Sequence, residues 1–197
     1  MAACRKKVAA DKAHLVPIDE SGLFLNPLVR RSWAPKGKTP VLLNDGGGRR
    51  KVSVIGAVTV SPAARRLGFY FATRPDGYFD GEAVVGFLWD LLEHLRGNVV
   101  VVWDGGPNHK GPAVREFLTG NPRLRLERLP AYCPDLNPVE SVWSWLKYGQ
   151  LANYFPGGVG ELDDEVIDLK FDLKFDPGLL RLLWGRSGLP LSHKPDE

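Results

Sequence analysis

The stretch Asn98-Val-Val-Val-Val-Trp-Asp104 contains the longest purely apolar run of this sequence, from Val99 to Trp103. A continuous run of mostly β-branched residues predicts a strand buried on both faces, as in a parallel sheet covered by helices. The run is far too short to cross a bilayer, which needs about 20 apolar residues. We therefore expect an internal strand with the carboxylate of Asp104 at its carboxyl end, and no membrane partner.

Segments on both sides of this strand alternate between strand and helix patterns. Residues 51–60 (KVSVIGAVTV) and 67–73 (LGFYFAT) are β-prone and flank a turn at Ser61-Pro62, which predicts an antiparallel hairpin. From Asp80, the expected N-cap, to Gly97 the apolar residues recur at helical spacing. This order predicts an α/β fold, a five-stranded mixed sheet flanked by helices. Shorter segments predict strands at 15–19 and 124–129 and helices at 110–119, 138–148 and 161–175.

The composition is that of an ordinary globular domain. Hydrophobic residues make up 44% and charged residues 25% of the 197 positions, which suits a single domain. The N-terminus lacks the apolar stretch of a signal peptide, so we expect a cytoplasmic protein. Cys4 and Cys133 are far apart and outside any Cys/His cluster, which argues against a disulfide framework or a zinc site.

The net charge of +3 is only mildly basic, but the basic residues are grouped. Any one group is equally well explained as a solvated surface, whereas five groups in one small domain favour a polyanionic partner. The groups are Arg5-Lys6-Lys7, Arg30-Arg31, Arg49-Arg50-Lys51, Arg65-Arg66, and the set Arg123, Arg125 and Arg128.

Two acids, Asp19 and Asp104, stand at predicted strand ends. Chemistry in open parallel sheets collects at the carboxyl ends of strands. On neighbouring strands the two carboxylates would repel, and a divalent cation that prefers oxygen ligands, such as Mg²⁺ or Mn²⁺, relieves that repulsion. Either acid alone is better explained by a turn, because Gly105 follows Asp104, and Ser21 and Gly22 follow Asp19. Both together favour a metal site.

A third acid, Glu140, lies in the helix start Asn137-Pro138-Val139-Glu140, with Asn as the expected N-cap and Pro at the first helical position. Glu140 either completes the cap or points over the sheet edge toward Asp104 as a third ligand. Helical spacing places Lys147 on the same polar face as Glu140. The adjoining apolar face, which must pack inward, contains Val139, Val142, Trp143 and Leu146.

Four segments, in order along the chain, resemble the signature blocks of one family. Ile18-Asp-Glu-Ser-Gly22 and Trp103-Asp-Gly-Gly-Pro-Asn-His109 resemble its first-Asp and second-Asp blocks. Trp33-Ala-Pro-Lys-Gly-Lys-Thr-Pro40 resembles the segment after the first block, and Leu129-Pro-Ala-Tyr-Cys-Pro-Asp-Leu-Asn-Pro-Val-Glu-Ser-Val-Trp-Ser-Trp-Leu-Lys147 resembles the context of the last acid. The family is the mariner-like DDE transposases, and the resemblance is closest to the bacterial insertion-sequence branch called the six-thirty group.

The resemblance implies a ribonuclease-H-like fold and the catalytic domain of a DNA transposase. Asp19, Asp104 and Glu140 are then the catalytic acids and hold two Mg²⁺ or Mn²⁺ ions, about 3.5–4 Å apart. Such a site cleaves DNA at the element ends and joins the freed 3′-hydroxyl to target DNA. His109 is expected to contact DNA phosphate or to support a metal ligand, unless it only caps its turn. Lys147 is expected to contact phosphate.

The resemblance covers roughly residues 14–150 and implies a catalytic domain at 14–185, after a linker remnant at 1–13 and before a flexible tail at 186–197. It also implies double-stranded DNA as partner, both element ends and target, a homo-oligomer on that DNA, and a nucleoid-associated location in a bacterial cytoplasm. Relatives carry helix-turn-helix modules ahead of this domain, and the sequence contains no such pattern. We therefore expect either a separate N-terminal helix-turn-helix partner or a decayed remnant.

Two residues depart from the expected pattern. Pro17, inside the first predicted strand, lacks the N–H that a central strand needs, which predicts a bulge or a local weakness near Asp19. Gly105 stands where many relatives have Asn. Two alternative functions stay open: a non-catalytic DNA-binding or regulatory remnant, and a ribonuclease-H-type nuclease. The intact acids argue against the first, and the Leu-Asn-Pro-x-Glu-x-x-Trp context argues against the second.

Overall fold

The computed structural model describes residues 7–26, 28–41, 48–63, 66–130, 136–189 and 191. Five strands form one sheet in the order β3-β2-β1-β4-β5. The pairs β1–β2 and β2–β3 are antiparallel, whereas β1–β4 and β4–β5 are parallel, so the predicted mixed sheet is confirmed. The strands are β1 (His14–Phe24), β2 (Lys51–Val60), β3 (Leu67–Pro75), β4 (Val99–Trp103) and β5 (Leu124–Arg128).

Helices cover both faces of the sheet and create two hydrophobic cores. One core contains residues of α1 and α2, and the other contains residues of α3, α4 and α5. Two covered faces explain why the central strands are apolar throughout. The helices are α1 (Gly81–His94), α2 (Pro112–Gly120), α3 (Val139–Trp145), α4 (Val159–Phe175) and α5 (Pro177–Gly185).

The apolar run that predicted an internal strand is β4, and all five of its residues are buried. Val100 and Val102 belong to the core under α3, whereas Val99, Val101 and Trp103 belong to the core under α1. The alternation follows from the period of two in a strand. Asp104 therefore comes directly after a strand fixed on both faces.

The first strand is longer than predicted. We expected β1 to end at Asp19, but it continues to Phe24, because its second half pairs with β2. The bulge considered at Pro17 is absent: Leu15 pairs with Val60 and Ile18 with Ala57 in one continuous antiparallel register. Pro17 itself is buried and pairs with Val102 of β4. The ladder with β2 has no pair at Val16 or Pro17, so only β4 pairs with β1 at the proline, a local weakness of the kind expected there.

Helix ends differ from the predicted ones by a few residues. Asp80 caps α1 as predicted, since its Oδ1 accepts a hydrogen bond from the N–H of Ala83 at 2.9 Å. Helix α3 begins one residue later than expected, with Pro138 rather than Asn137 at the cap position, and it continues into a π-helical turn, Leu146–Gln150. An extra residue per turn shifts the face that the following side chains present.

The domain boundaries expected at residues 13 and 185 stay a prediction. Residues 7–10 are helical, and Val8 and Ala13 are fully buried in the core under α3. Cys4, Cys133 and most of the expected tail lie outside the described residues. No helix in the described part of the chain is long and apolar enough to cross a membrane.

Candidate active site

Parallel pairing of the two central strands brings Asp19 and Asp104 to the same edge of the sheet. The register runs from His14 opposite Val99 to Pro17 opposite Val102. The same offset, carried two residues further, sets Asp19 opposite Asp104. The Asp19 side chain belongs to the face that packs under α3, whereas the Asp104 carboxylate, just past the end of β4, faces His109 and the N–H of Gly106. Strands β1 and β4 are parallel neighbours, as the prediction required, and a metal site shared by the two carboxylates stays a prediction.

Asn137 anchors the start of α3 to the strand that carries Asp19. Its side-chain amide donates to the carbonyl of Ile18 at 3.0 Å, and its Oδ1 accepts from the N–H of Val139 at 3.2 Å. Asn137 is 4% exposed, so both groups are satisfied away from water. The first turn of α3, with Glu140, is thereby fixed beside the residue that precedes Asp19.

Trp143 of α3 contacts Asp19 directly. The indole N–H donates to Oδ2 of Asp19 at 2.8 Å. The ring lies over Gly56 of β2, which pairs with Asp19, and a Cβ at position 56 would stand 2.8 Å from the ring carbon Cη2. Trp143 is 2% exposed, so it is the core residue expected from the sequence and also a hydrogen-bond donor to the first acid.

The pKa of Asp19 is raised to about 7. Burial is the largest cause, because it disfavours the charged carboxylate, and the negative charge of Glu140 is the second. The hydrogen bond from Trp143 opposes the shift, and the charges of Glu20 and Asp104 add to it. The charges of Glu140 and Asp104 thus both reach Asp19 and add to the effect of its burial.

His109 joins two carboxylates on the other side of the strand ends. Its Nδ1 lies 2.9 Å from Oδ1 of Asp104, and its Nε2 lies 2.8 Å from Oε1 of Glu20. The ring is 6% exposed and stacks on Trp103, with 4.2 Å between ring centroids. Burial lowers the pKa of His109, but the two carboxylates outweigh burial and the net shift is upward. Asn108 adds a hydrogen bond to the same oxygen of Glu20.

Arg128, the last residue of β5, lies against Gly105. A Cβ at position 105 would collide with the Arg128 guanidinium, so this end of a flexible side chain would have to move for any residue other than glycine. Arg128 is exposed, and no other described residue forms an ion pair with it. The Arg128 guanidinium therefore lies beside the residue that follows Asp104, and none of the described acids forms an ion pair with it.

Lys147, in the π-helical turn after α3, is half-buried near the acids. Burial lowers its pKa, and the negative charges of Glu140 and Asp19 oppose that shift. The lysine therefore lies within electrostatic reach of two of the three carboxylates, as its position on the Glu140 face predicted.

Several basic residues of the groups expected to face a polyanion also form contacts within the protein. Arg50 forms an ion pair with Asp76 at 2.7 Å, and Arg125 pairs with Asp11 at 2.6 Å. Arg123 donates to the carbonyls of Leu95 and Gly97 after α1. Because these three side chains already have intramolecular partners, Arg128 and Lys147 are the better candidates for phosphate.

The acids do not form a closed metal site. The described residues contain no group of three His, Cys, Asp or Glu side chains that could hold one ion. One reason is that Oδ1 of Asp104 already accepts the N–H of Gly106 at 2.8 Å and faces His109. The donor set still fits Mg²⁺ or Mn²⁺, because carboxylate oxygens are their preferred ligands and a cation would relieve the repulsion that raises the pKa of Asp19. The Asp104 side chain, which is 61% exposed, has room to turn.

A comparison with protein-family models matches residues 14–158 to the DDE superfamily endonuclease family. The chain belongs to the DDE superfamily of endonucleases. The match includes Asp19, Asp104 and Glu140, and it confirms the family expected from the sequence at the level of the superfamily. A comparison with curated protein sequences finds no match to this endonuclease-family chain.

Solved structures of Mos1 mariner transposase share the fold of this endonuclease-family chain. The Mos1 paired-end complex with the left transposon end has a TM-score of 0.61 and 20% identity, covering 95% of this chain and 60% of that one. The Mos1 strand transfer complex has a TM-score of 0.62 and 20% identity, covering 95% and 56%. The Mos1 catalytic domain has a TM-score of 0.58 and 16% identity, covering 95% and 88%. The chain thus spans about 60% of the length of the Mos1 chains in the first complex, and its ribonuclease-H-like fold is confirmed.

Three contributors to this endonuclease-family site escaped the sequence reasoning. Glu20 was quoted only as part of the first-Asp block, although it is the partner of His109. Gly56 and the pairing of Gly105 with Arg128 were not foreseen. The glycine inside the β-prone run 51–60 was an available signal, since an internal strand glycine often marks a close approach.

Proposed function

We propose that this chain is the catalytic domain of a DNA transposase, of the bacterial six-thirty group of insertion sequences, that cleaves DNA at element ends and joins the 3′ ends to target DNA. The observation that carries the proposal is the DDE-superfamily match over residues 14–158, which includes Asp19, Asp104 and Glu140. The fold supports it: Asp19 and Asp104 follow the pairing of two neighbouring parallel strands, and Trp143, on the helix of Glu140, donates to Asp19.

In this proposal Asp19, Asp104 and Glu140 hold two Mg²⁺ or Mn²⁺ ions and are the catalytic acids. Bound divalent ions in such sites activate the attacking hydroxyl and stabilise the departing oxygen. Trp143 orients the Asp19 carboxylate through its indole N–H. His109 positions Asp104 and Glu20 from the second layer of the site. Mos1 paired-end complexes have been solved with Mn and with Mg, which supports this choice of ions.

The proposed substrate is double-stranded DNA, both the element ends and the target. Arg128 and Lys147 flank the acids and supply the positive charge that phosphates require. Mos1 in complex with a transposon end, and in a strand transfer complex, supports this assignment. We further propose a homo-oligomer on DNA, a separate N-terminal helix-turn-helix partner, and a nucleoid-associated location in the bacterial cytoplasm.

A second candidate is a non-catalytic DNA-binding or regulatory remnant of a transposase. The observation that favours it is the Asp104 side chain, whose Oδ1 is held by Gly106 and His109 rather than turned to the other acids. If that arrangement persists with metal and DNA present, the acids stay apart and the fold serves only to bind DNA.

Metal-dependent stabilisation separates the two candidates. The melting temperature is measured with and without Mn²⁺, in the presence of a short DNA duplex, for the wild type and for Asp104→Asn and Glu140→Gln. A catalytic site predicts a rise with Mn²⁺ in the wild type that both variants lose, followed by Mn²⁺-dependent strand cleavage by the wild type alone. No rise in the wild type, or an equal rise in the variants, overturns the metal site and favours the regulatory remnant.

A further inference from the structure

The two edge strands of the sheet differ in their protection. β5 has five residues, three of them charged, and two of its side chains pair with the segment before β1: Glu127 with Lys7 and Arg125 with Asp11, both at 2.6 Å. β3 has nine residues, and its stretch 67–73 contains no charged side chain. Proteins usually blunt a long edge with charges or a covering segment, because it offers pairing to another strand. β3 is therefore the less protected edge of this sheet.

The backbone of β3 alternates between groups that bond to β2 and groups that face outward. At one end of the β2–β3 ladder the N–H of Ser61 donates to the carbonyl of Arg66 at 2.9 Å. At the other end the N–H of Asp76 donates to the carbonyl of Lys51, also at 2.9 Å. Such pairs recur at every second residue of an antiparallel ladder, so the even-numbered residues of β3 bond to β2. The N–H and carbonyl groups that face outward belong to Phe69, Phe71 and Thr73, and in the described part of the chain they have no backbone partner.

A groove runs along this outer edge. One cavity of about 420 Å³ is lined by residues 68–72 of β3, by α1 and by α4. Because α1 and α4 cover opposite faces of the sheet, a cavity that touches both helices lies beyond the last strand. A second cavity, also of about 420 Å³, shares Ala72, Phe87 and Asp90 with the first and continues it toward the start of α1. The two cavities together follow most of the length of β3.

The two walls of the groove carry opposite charge. The α4 wall presents Lys170 and Lys174, whereas the α1 wall presents Asp90 and, further along, Glu82. Arg74, at the far end of the groove, already donates to a backbone carbonyl at 3.1 Å. Successive side chains of a strand point to opposite faces of the sheet. A strand added to β3 would therefore direct one half of its side chains to the lysines and the other half to the acids.

The charges of the groove disfavour a second copy of this chain as the added strand. Two identical edges that pair antiparallel are related by a two-fold axis perpendicular to the sheet, which sets α1 beside α1 and α4 beside α4. Lysines would then approach lysines and acids would approach acids, which is repulsive. The stretch 67–73 offers no charge that could compensate. A peptide of complementary charge from another protein fits the two walls better.

We propose that the outer edge of β3 binds an extended peptide of a partner protein as a further strand, with acidic side chains of the peptide against Lys170 and Lys174 and basic side chains against Asp90 and Glu82. Strand addition of this kind takes its affinity from main-chain hydrogen bonds and its selectivity from alternate side chains. β2 lies between this edge and the strand of Asp19, so binding here does not require the proposed catalytic site.

A designed peptide and its rearranged control provide the probes. In the first peptide, of about eight residues, glutamate and lysine alternate, which matches the length of β3. The control peptide contains the same residues in blocks of two, so its composition and net charge are equal. Alternation directs all glutamates to one face and all lysines to the other, whereas blocks of two mix them on both faces. Only the first peptide can match both walls of the groove.

Amide hydrogen exchange of the wild type with each peptide tests the proposal. The alternating peptide should slow the exchange of the Phe69, Phe71 and Thr73 amides by about tenfold or more, because it accepts their hydrogen bonds. The amides of Tyr70 and Ala72, which already bond to β2, should change little. We expect the control peptide to bind about fivefold more weakly. Unchanged exchange of the outward amides at about millimolar peptide, or equal protection by both peptides, overturns the proposal.

Two variants and a matched control locate the bound peptide. Thr73→Pro removes an outward N–H that β2 does not use, and Lys174→Glu reverses an exposed charge on the α4 wall. Each should weaken binding of the alternating peptide by about three- to fivefold. Arg115→Glu makes the same charge change at an exposed position of α2 and should leave the affinity unchanged. Equal losses in Lys174→Glu and Arg115→Glu would mean a general effect of charge and overturn the proposal.

A second copy of this chain is the competing occupant of the edge. Protection of the outward amides that grows with protein concentration in the absence of peptide, together with a doubled mass in light scattering, assigns the edge to self-association and overturns the peptide site. Exchange that does not depend on protein concentration supports the peptide site. Neither measurement contains metal or DNA, so the result is independent of the Mn²⁺ melting experiment.

Discussion

Trp143 donates its indole N–H to Asp19 at 2.8 Å, so a core residue of α3 is also the hydrogen-bond partner of the first acid. The contact exists because Gly56, opposite Asp19 in the sheet, leaves the space that the ring occupies. The same indole ring therefore packs α3 on the sheet and orients the Asp19 carboxylate. Any change that displaces the indole should disturb both stability and the ionisation of Asp19.

Replacing Trp143 with Phe should raise the pKa of Asp19 further. The hydrogen bond from Trp143 is the one contribution that lowers this pKa against burial and the neighbouring acids. Phenylalanine keeps most of the apolar volume and removes the donor. The measurement is an NMR pH titration of the Asp19 carboxyl carbon in metal-free protein, with Trp145→Phe as the control. An unchanged midpoint in Trp143→Phe would contradict the assigned role of the indole.

Ionisation of Asp19 should destabilise the metal-free protein. Its pKa is raised to about 7 in the folded state, from 3.8, so the folded state favours the protonated acid. The stabilisation that the protonated Asp19 carboxyl gives the folded state is complete below about pH 4, and it is lost as the pH rises through about 7. Between these limits the free energy of unfolding should fall, relative to Asp19→Asn, by on the order of 2 kcal/mol after allowance for partial exposure.

Urea unfolding of the wild type and of Asp19→Asn at pH 5 and pH 8, in EDTA, checks this expectation. The amide side chain of the variant still accepts from Trp143 but cannot ionise, so the pH dependence due to this position should vanish. If the free energy of unfolding changes equally from pH 5 to pH 8 in the wild type and in Asp19→Asn, the prediction is wrong.

Two glycine-to-alanine changes should have opposite effects on stability. Gly56→Ala pushes a methyl group to within 2.8 Å of the Trp143 ring, and we expect a loss of about 1–3 kcal/mol. Gly86→Ala, inside α1 with open space around its Cβ, should gain about 0.5–1 kcal/mol from helix propensity. Denaturant midpoints of the two variants and the wild type provide the comparison. Similar denaturant midpoints for Gly56→Ala and Gly86→Ala would show that the Trp143 indole moves aside at little cost in stability.

Gly105 and Arg128 should act as a unit in DNA binding. Arg128→Ala removes one phosphate contact, which should lower the salt dependence of affinity for duplex DNA by about one unit of slope. Gly105→Ala should weaken binding less than Arg128→Ala, because its Cβ displaces the guanidinium but leaves the charge. The double variant should then be no weaker than Arg128→Ala alone. Additive losses in this cycle would mean that the two residues act independently.

Sequence predicted the fold best where a pattern was local and strong. The apolar run of β4 gave its strand, its burial on two faces and the position of Asp104 at its end. The Asp80 cap and the helical spacing after it gave the start of α1. The rule for parallel strands correctly predicted that the strands of Asp19 and Asp104 are neighbours, whereas the joint role of these two acids and Glu140 stays a prediction from the motifs.

The missed features all depend on residues that are far apart in the chain. His109 pairs with Glu20 across the sheet edge, and no local pattern connects the two. The close approach of Arg128 to Gly105 can be predicted only if one knows that β5 pairs with β4. The π-helical turn at Leu146–Gln150 has no distinct periodicity in so short a segment, so it was expected as ordinary helix.

The parallel pairing of β1 with β4 also sets the order in which the proposed catalytic acids come together during synthesis. A nascent chain that ends before Val99 can form the β1–β2–β3 meander, but it has one acid and an open edge on β1. That edge is closed by the same strand that delivers Asp104, and Glu140 follows only when α3 docks. In the proposed function an unfinished chain would therefore have an incomplete site, and its exposed β1 edge makes it a candidate for chaperone binding until residues 99–103 emerge.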